Sequence, residues 1–309
     1  MDLRQLRYFL AVAEHGSILK ASQHLRVAQP SVSAHLRNLE EELGVVLFER
    51  NTRGVVATTE GLELVRHARL ILKSAEDARE SLRSRSDSPV GRVVFAVPSS
   101  LVATLTVPLI EEGRLRLPNV SLRGVESMTG YIVEWLTDGR VDVGLLYNAE
   151  QISGIDTVRL LTEELYVAGG DAAAMRALAT DGEVPFERLE GLPLVMPGRE
   201  HGLRSLVEQV ARRLGVTLTV QIEIDAFSQI KQLVRRGAGY TVLSLAALRG
   251  DQPETAITAA RIVEPVVERT VFIAHAANRP LSRASREVER IAIRLLQTEA
   301  RRGWWHARL

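Results

Sequence analysis

The sequence predicts a multidomain α/β chain: a helical hairpin with a β-hairpin at the N-terminus, one long helix, and a larger α/β body. Three patterns carry this reading. Residues 17–53 parse as helix, tight turn, helix and basic hairpin; residues 59–85 hold an unbroken helical apolar seam; from residue 91 onward strand-like runs alternate with helical ones. At 309 residues the chain exceeds what one core organises, so two or three domains are expected.

Residues 2–14 form the first helix, with Asp2 as N-cap, Gln5 completing a capping box, and Leu3, Leu6, Phe9, Leu10 and Ala13 on one face. Ser17 caps a second helix that places Ala21 and Leu25 on one side. Pro30 suits the first position of a third helix, and Gly44 ends it. Its apolar stripe is Val32, Leu36, Leu39 and Leu43; its opposite face and first turn carry Gln29, Ser31, Ser33, Ala34 and Arg37. Small and hydrogen-bonding side chains at the leading end allow close approach to base edges, while Arg37, Arg50 and Arg53 supply charge for phosphates. A helical hairpin with an ordinary polar surface is the competing reading.

Thr58 or Thr59 starts the long helix, with Glu60 and Glu63 at its positive end. Leu62, Val65, Ala68, Leu72, Ala75, Ala78 and Leu82 form its seam, which is expected to pair with a second copy of the helix. The polar stretch SRSDSPVG, residues 84–91, reads as a linker. In the body, strands are expected at 93–97, 120–125, 141–146, 165–168, 193–196, 217–224, 240–243 and 266–274. Helices are expected at 101–115, 129–138, 203–214, 227–236 and from Ser282, while RRGWWHARL at the end reads as an amphipathic tail, either a partner or lobe contact or, more simply, a frayed end.

Composition excludes several classes. A net charge of +1, with the first 53 residues nearly balanced, means that DNA binding depends on where the charge sits and on repeated modules. With no cysteine there is no disulfide, thiolate metal site or thiol redox sensor in the chain. No apolar signal core opens the sequence, which points to the cytoplasm. Residues 93–110 lack charge, but Pro98, Pro108 and the hydroxyls of Ser99, Ser100, Thr104 and Thr106 make them a buried strand and helix, not a membrane span. Gly237 and Gly239 in RRGAGYTV follow a helix and precede a strand, the reverse of a nucleotide loop. No P-loop, HExxH or GxSxG is present, and His15, His24, His35, His67, His201, His275 and His306 lack metal-ligand spacing; no catalytic residue, metal or cofactor is expected.

AQPSVSAHLRNLEEELGVVLFER, followed by TRGVVATTEG, resembles the winged helix-turn-helix of the LysR-type transcriptional regulators, and the length and order of parts resemble that bacterial family throughout. The resemblance implies a winged helix-turn-helix over residues 1–58, a linker and dimerisation helix over 59–90, and an effector-binding domain over 91–309. That domain would be periplasmic-binding-protein-like, with lobe one at 91–161 and 267–309 and lobe two at 162–266. It also implies that Gln29, Pro30 and Ser33 enter the groove of double-stranded DNA at an interrupted palindrome, with Arg50 and Arg53 around the wing. A homodimer through the linker helix, a homotetramer, and RNA polymerase as partner follow from the same resemblance. Lys20 stands where the family usually has a small residue, and Ala34 where many members carry a longer polar one.

Ligands in open α/β sheets gather beyond the carboxyl ends of strands, near helix N-termini. Ser99, Ser100, Ser127 and Thr129 take such positions in the first half, and PGREHGLR brings Arg199, His201 and Arg204 together in the second. With Phe227 as a wall, this set suits a small anion, most simply a carboxylate; ordinary helix capping and solvated arginines are the plainer reading. Two other functions stay open. MTGYIVEWLTDGRVDVGLLYN with EELYVAGG is similar to the nitrogen-assimilation-control branch, implying a regulator without an effector; a small-molecule-binding protein or enzyme with an accessory DNA module is the third.

Overall fold

The computed structural model describes residues 1–51, 54–83, 88–248 and 257–309, and the chain divides into two compact units, Met1–Gly91 with Thr137–Arg140, and Arg92–Leu136 with Val141–Leu309. In the first unit α1 (Leu3–His15), α2 (Ile18–Leu25) and α3 (Gln29–Leu43) pack around Leu6, Phe9, Val12, Ala21, Val32, Leu36 and Leu39. Local chemistry sets their ends. Asp2 accepts from the Arg4 and Gln5 amides while Gln5 reaches back to the Asp2 amide, a reciprocal capping box. Ser17 caps α2, and Gly44 closes α3 at φ +70°. Helix α3 begins at Gln29, so Pro30 occupies the second position, one later than expected. Leu43, expected in the apolar stripe, is 39% exposed.

A hairpin of β1 (Phe48–Asn51) and β2 (Gly54–Ala57) follows, with Phe48 paired to Ala57 and Asn51 to Gly54. Glu40 of α3 holds its entry by accepting from the Leu47 amide at 2.8 Å. One carboxylate in the last turns of α3 therefore satisfies backbone donors at the start of the hairpin. Helix α4 (Thr59–Arg83) starts against the same segment: Thr58 donates its amide to the Leu47 carbonyl, and a Cβ on Gly61 would lie 2.2 Å from that oxygen. Only glycine permits this approach.

The seam of α4 is not left free along its length as expected. Val65 and Ala68 are buried in the unit's own core, whereas Leu62 and Leu82 are 60% and 80% exposed. One turn of the stripe is consumed by α1, because residues three and seven positions apart face the same neighbour. Among the described residues no helix is long and apolar enough to cross a membrane.

The second unit has two sheets. Its elements are β3 (Gly91–Val97), a 3-10 turn (Ser99–Leu101), α5 (Val102–Arg116), β4 (Val120–Glu126), α6 (Thr129–Thr137), β5 (Val143–Tyr147) and β6 (Ile155–Glu164). There follow β7 (Tyr166–Gly169), α7 (Ala172–Leu178), β8 (Glu183–Pro185), β9 (Pro193–Met196), α8 (Gly202–Leu214), β10 (Thr219–Glu223), α9 (Phe227–Arg235), β11 (Tyr240–Leu243) and β12 (Thr258–Val263). The chain ends with β13 (Glu268–Ala276), α10 (Arg283–Arg301) and β14 (Ala307–Arg308). Sheet one has the order β14-β6-β13-β5-β3-β4, and sheet two β10-β9-β11-β7-β12-β8. The chain crosses between lobes at β6 to β7 and again at β12 to β13. β13 inserts between β5 and β6, antiparallel to both, and this long-range pairing closes lobe one.

Both faces of sheet one are covered: α5 and α10 bury Leu105, Leu109, Ile291 and Leu296 on one side, and Ile132 and Leu136 of α6 cover the other. Pro108 lies inside α5, so the uncharged stretch is a strand and a helix. The expectation of a frayed tail is wrong. Trp305 is fully buried, and Ala307 and Arg308 pair with Glu163 and Thr162 as an edge strand. A large aromatic with one polar atom is ordered wherever an apolar slot ends in an acceptor.

Candidate functional site

On the first unit, α3 exposes Gln29, Pro30 and Arg37, with Ser31, Ser33 and Ala34 half-buried beside them. The helix buries Val32, Leu36 and Leu39 on its other side, so within this unit the polar stripe points away from the core. Arg50 lies on β1, and Arg53 falls outside the described residues, as do residues 84–87 of the expected linker.

On the second unit, a cavity of about 370 Å³ opens between the two sheets. Its lining includes Ser99, Ser100, Ser127 and Thr129 from lobe one and His201 and Phe227 from lobe two. Strand ends explain the grouping: Ser99 and Ser100 follow β3, Ser127 and Thr129 follow β4, and the turn into α8 follows β9. The first turns of α6, α8 and α9 and the Ser99 turn all contribute, and neither Pro98 nor Ala226, at the cap positions of the last two, supplies a side-chain cap. Free N–H groups and aligned peptide dipoles give such ends a partial positive charge.

Arg199 and Arg204 do not line the cavity. Arg199 is exposed. Arg204 is buried on α8, where Nε donates to Glu208 at 2.6 Å and Nη1 to the Pro197 carbonyl at 3.3 Å. Glu208 stands one helical turn on, within reach of the guanidinium, and satisfies it locally.

Among the described residues the arginine that lines the cavity is Arg269, which sequence reasoning missed. Its Nε donates to Glu163 at 2.6 Å, its Nη2 to Ser100 at 2.9 Å and to Ser244 of lobe two at 3.2 Å, and its guanidinium lies 3.6 Å from the Tyr147 ring centre. Burial alone would lower its pKa; the facing Tyr147 and the Glu163 carboxylate outweigh this, so the net direction is upward and the cation is kept. Tyr147 shares a 2.8 Å hydrogen bond with Ser100, and burial raises its phenol well above the ordinary range, the Arg269 charge offsetting only part. It stays protonated. Thr129 Oγ1 accepts from the Tyr147 amide at 3.3 Å, which leaves its hydroxyl proton free to turn toward the cavity.

Burial, then the Arg269 charge, lowers the His201 pKa, with Asp225 opposing. The ring is therefore neutral at pH 7. Its Nδ1 accepts from the Leu203 amide at 3.2 Å, so the proton resides on Nε2. Because the folded pKa lies below the unfolded value, the unfolded chain takes up the proton first as pH falls, and stability drops from about pH 6.5 downward to the folded value. His201→Asn keeps a capping acceptor without the titration. It should flatten the pH dependence of the unfolding midpoint between about pH 7 and pH 5, and equal slopes in the two proteins would exclude this assignment.

Residues 3–62 match the family model of the bacterial regulatory helix-turn-helix protein, lysR family, and residues 86–296 match that of the LysR substrate binding domain. The chain belongs to the LysR family. It is a DNA-binding transcription regulator with an effector-binding domain. It is 28% identical over 302 residues to the nitrogen assimilation regulatory protein nac of Klebsiella aerogenes, covering 96% of this chain and 95% of the relative. It is 31% identical over 251 residues to the transcriptional regulator TfdS of Cupriavidus pinatubonensis, covering 81% and 85%. Among solved structures, a full-length OxyR variant from Pseudomonas aeruginosa shares the LysR fold at a TM-score of 0.73 and 23% identity, covering 96% and 95% of the two chains. Full-length CbnR complexed with its target DNA does so at 0.69 and 23%, covering 96% and 100%.

Proposed function

We propose that a small anion, most simply a carboxylate, binds the cavity of this LysR-family regulator and shifts the population of lobe arrangements, so that the spacing of DNA-binding units changes. The observation that carries this is the convergence of helix first turns from both lobes on one cavity, beside Thr129, His201 Nε2–H and Arg269. Ser99, Ser100, Ser127 and Phe227 complete the wall. Donors from two lobes reward a ligand that bridges them, which is what a closing switch needs. The chain contains no cysteine, so no thiol-based response to peroxide operates in it.

The test is thermal unfolding against formate, acetate, succinate and benzoate. A ligand of the native state raises the midpoint with concentration, by the equivalent of about 2.7 kcal/mol at 100 times Kd. The shift should vanish in a Ser99→Val, Thr129→Val double variant; a shift that survives there rejects the cavity. A flat panel in a protein that still binds its operator favours the second reading, a regulator without an effector. Glu163 already supplies the counter-charge of Arg269 from within the protein, which supports that alternative.

For DNA, Gln29, Pro30, Ser31, Ser33 and Arg37 form the reading surface in this proposal, with Arg50 and Arg53 at the wing, and the site is an interrupted palindrome. Arg37→Ala should weaken operator binding and reduce the slope of log K against log salt by about one. An unaltered slope removes Arg37 from the phosphate contacts. The exposed Leu62 and Leu82 positions on α4 support a homodimer through that helix, with pairing of dimers to a tetramer and contact with RNA polymerase as the further parts of the proposal. Action in the cytoplasm, by binding and not by turnover, is the last part of the proposal.

A further inference from the structure

Three adjacent strands carry one hydrogen-bonded chain from the C-terminal tail to the cavity. In the register of sheet one Ala307 of β14 stands opposite Glu163 of β6, and Glu163 opposite Arg269 of β13. Trp305 Nε1 donates to Glu163 Oε2 at 2.6 Å, and Arg269 Nε donates to Glu163 Oε1 at 2.6 Å. Each carboxylate oxygen thus has its own donor. Glu163, Arg269 and Trp305 are 0%, 3% and 0% exposed, so no water substitutes for a lost partner without opening the core. Two further contacts tie the tail down. His306 Nδ1 shares a 2.6 Å hydrogen bond with Tyr166 Oη just past the first lobe crossing, and Arg308 pairs with Glu268 at the second.

We infer that Trp305 is a positioning residue for the cavity: its indole N–H fixes the Glu163 carboxylate, which in turn holds the Arg269 guanidinium against Ser100 and Tyr147. The carboxylate has two oxygens and the guanidinium several N–H donors, so without the indole the carboxylate can rotate and the arginine loses its fixed orientation. The function of this arrangement rests on the cavity being the effector site, but the link itself does not need a ligand to be measured.

The experiment is phenylglyoxal labelling of the full-length protein, with the rate at each arginine read by mass spectrometry. Trp305→Phe retains an aromatic ring and removes the N–H. Modification of Arg269 should accelerate roughly tenfold, the local-opening equivalent of one lost hydrogen bond to a charged group. Arg204 and Arg279, buried on other carboxylates, should keep their wild-type rates. Glu163→Gln, which leaves an acceptor for the indole and removes the charge, should also expose Arg269; it tests the step from carboxylate to guanidinium, and unchanged labelling there overturns the inference even if the first variant does not fold. Unchanged labelling of Arg269, or equal acceleration at all three arginines, overturns the inference. Neither result bears on the carboxylate panel, so failure of this link and failure of the cavity reading are told apart.

Discussion

Trp305→Ala is expected to lower the stability of the regulatory unit by about 3–5 kcal/mol, the range for truncating a fully buried large aromatic. The side chain is 0% exposed, packed with Trp304 at a ring separation of 6.0 Å and set against the core of α5 and α10. Its loss leaves a void and removes the donor from Glu163 Oε2, so a transfer cost and an unsatisfied buried oxygen add together. Urea unfolding followed by near-UV circular dichroism measures this through the midpoint at constant slope. A loss under about 1 kcal/mol, the level of a surface substitution, would return the tail to the status of a loose end. Deleting the last five residues should be comparably damaging.

Glu163→Ala is expected to cost a similar amount, about 3–5 kcal/mol, because it strands a buried cation. Arg269 would keep Ser100, Ser244 and the Tyr147 ring as dipolar partners and, among the described residues, lose its ion-pair partner. The informative companion is the Glu163→Ala, Arg269→Met double variant. Removing both charges together avoids the stranded ion, so much of the single-variant loss should return. Trp305 and Glu163 are in contact, and their two costs should therefore not add; a double-mutant cycle between them should show coupling of at least about 0.5 kcal/mol. Additive losses would mean that the indole and the carboxylate act independently.

Much of the architecture was legible in the chain. Local chemistry wrote the caps at Asp2, Ser17, Gly44 and Ser282, and each sits where its helix begins or ends. Strand runs such as 193–196 and 240–243 coincide with β9 and β11 because apolar content bounded by turn residues is a local property. Ser99, Ser100, Ser127, Thr129, His201 and Phe227 come together around the cavity because they follow parallel strands or open helices, a rule that operates within one strand-helix unit.

Two of the misses are long-range and one is local. Arg269 sits at the beginning of a strand, and a search beyond strand ends passes over it; only the antiparallel insertion of β13 beside β5 brings that beginning to the cavity. Arg204 carries the right charge in the right segment, yet a carboxylate one turn along its own helix takes it away from the cleft. The tail's WW pair reads as a loose amphipathic end until a partner 142 residues away supplies the acceptor. On its own, then, the sequence determined most of the elements, their caps, the polar stripe of α3 and the family, while β6, β8, β12, β14 and α7 went unread. Tertiary structure decided which cation faces the cavity, which apolar turns of α4 are consumed internally, and what holds the C-terminus. Those depend on contacts between segments distant in sequence, strand against strand for Arg269 and the tail and helix against helix for α4, whose energies come from buried partners that no local pattern encodes.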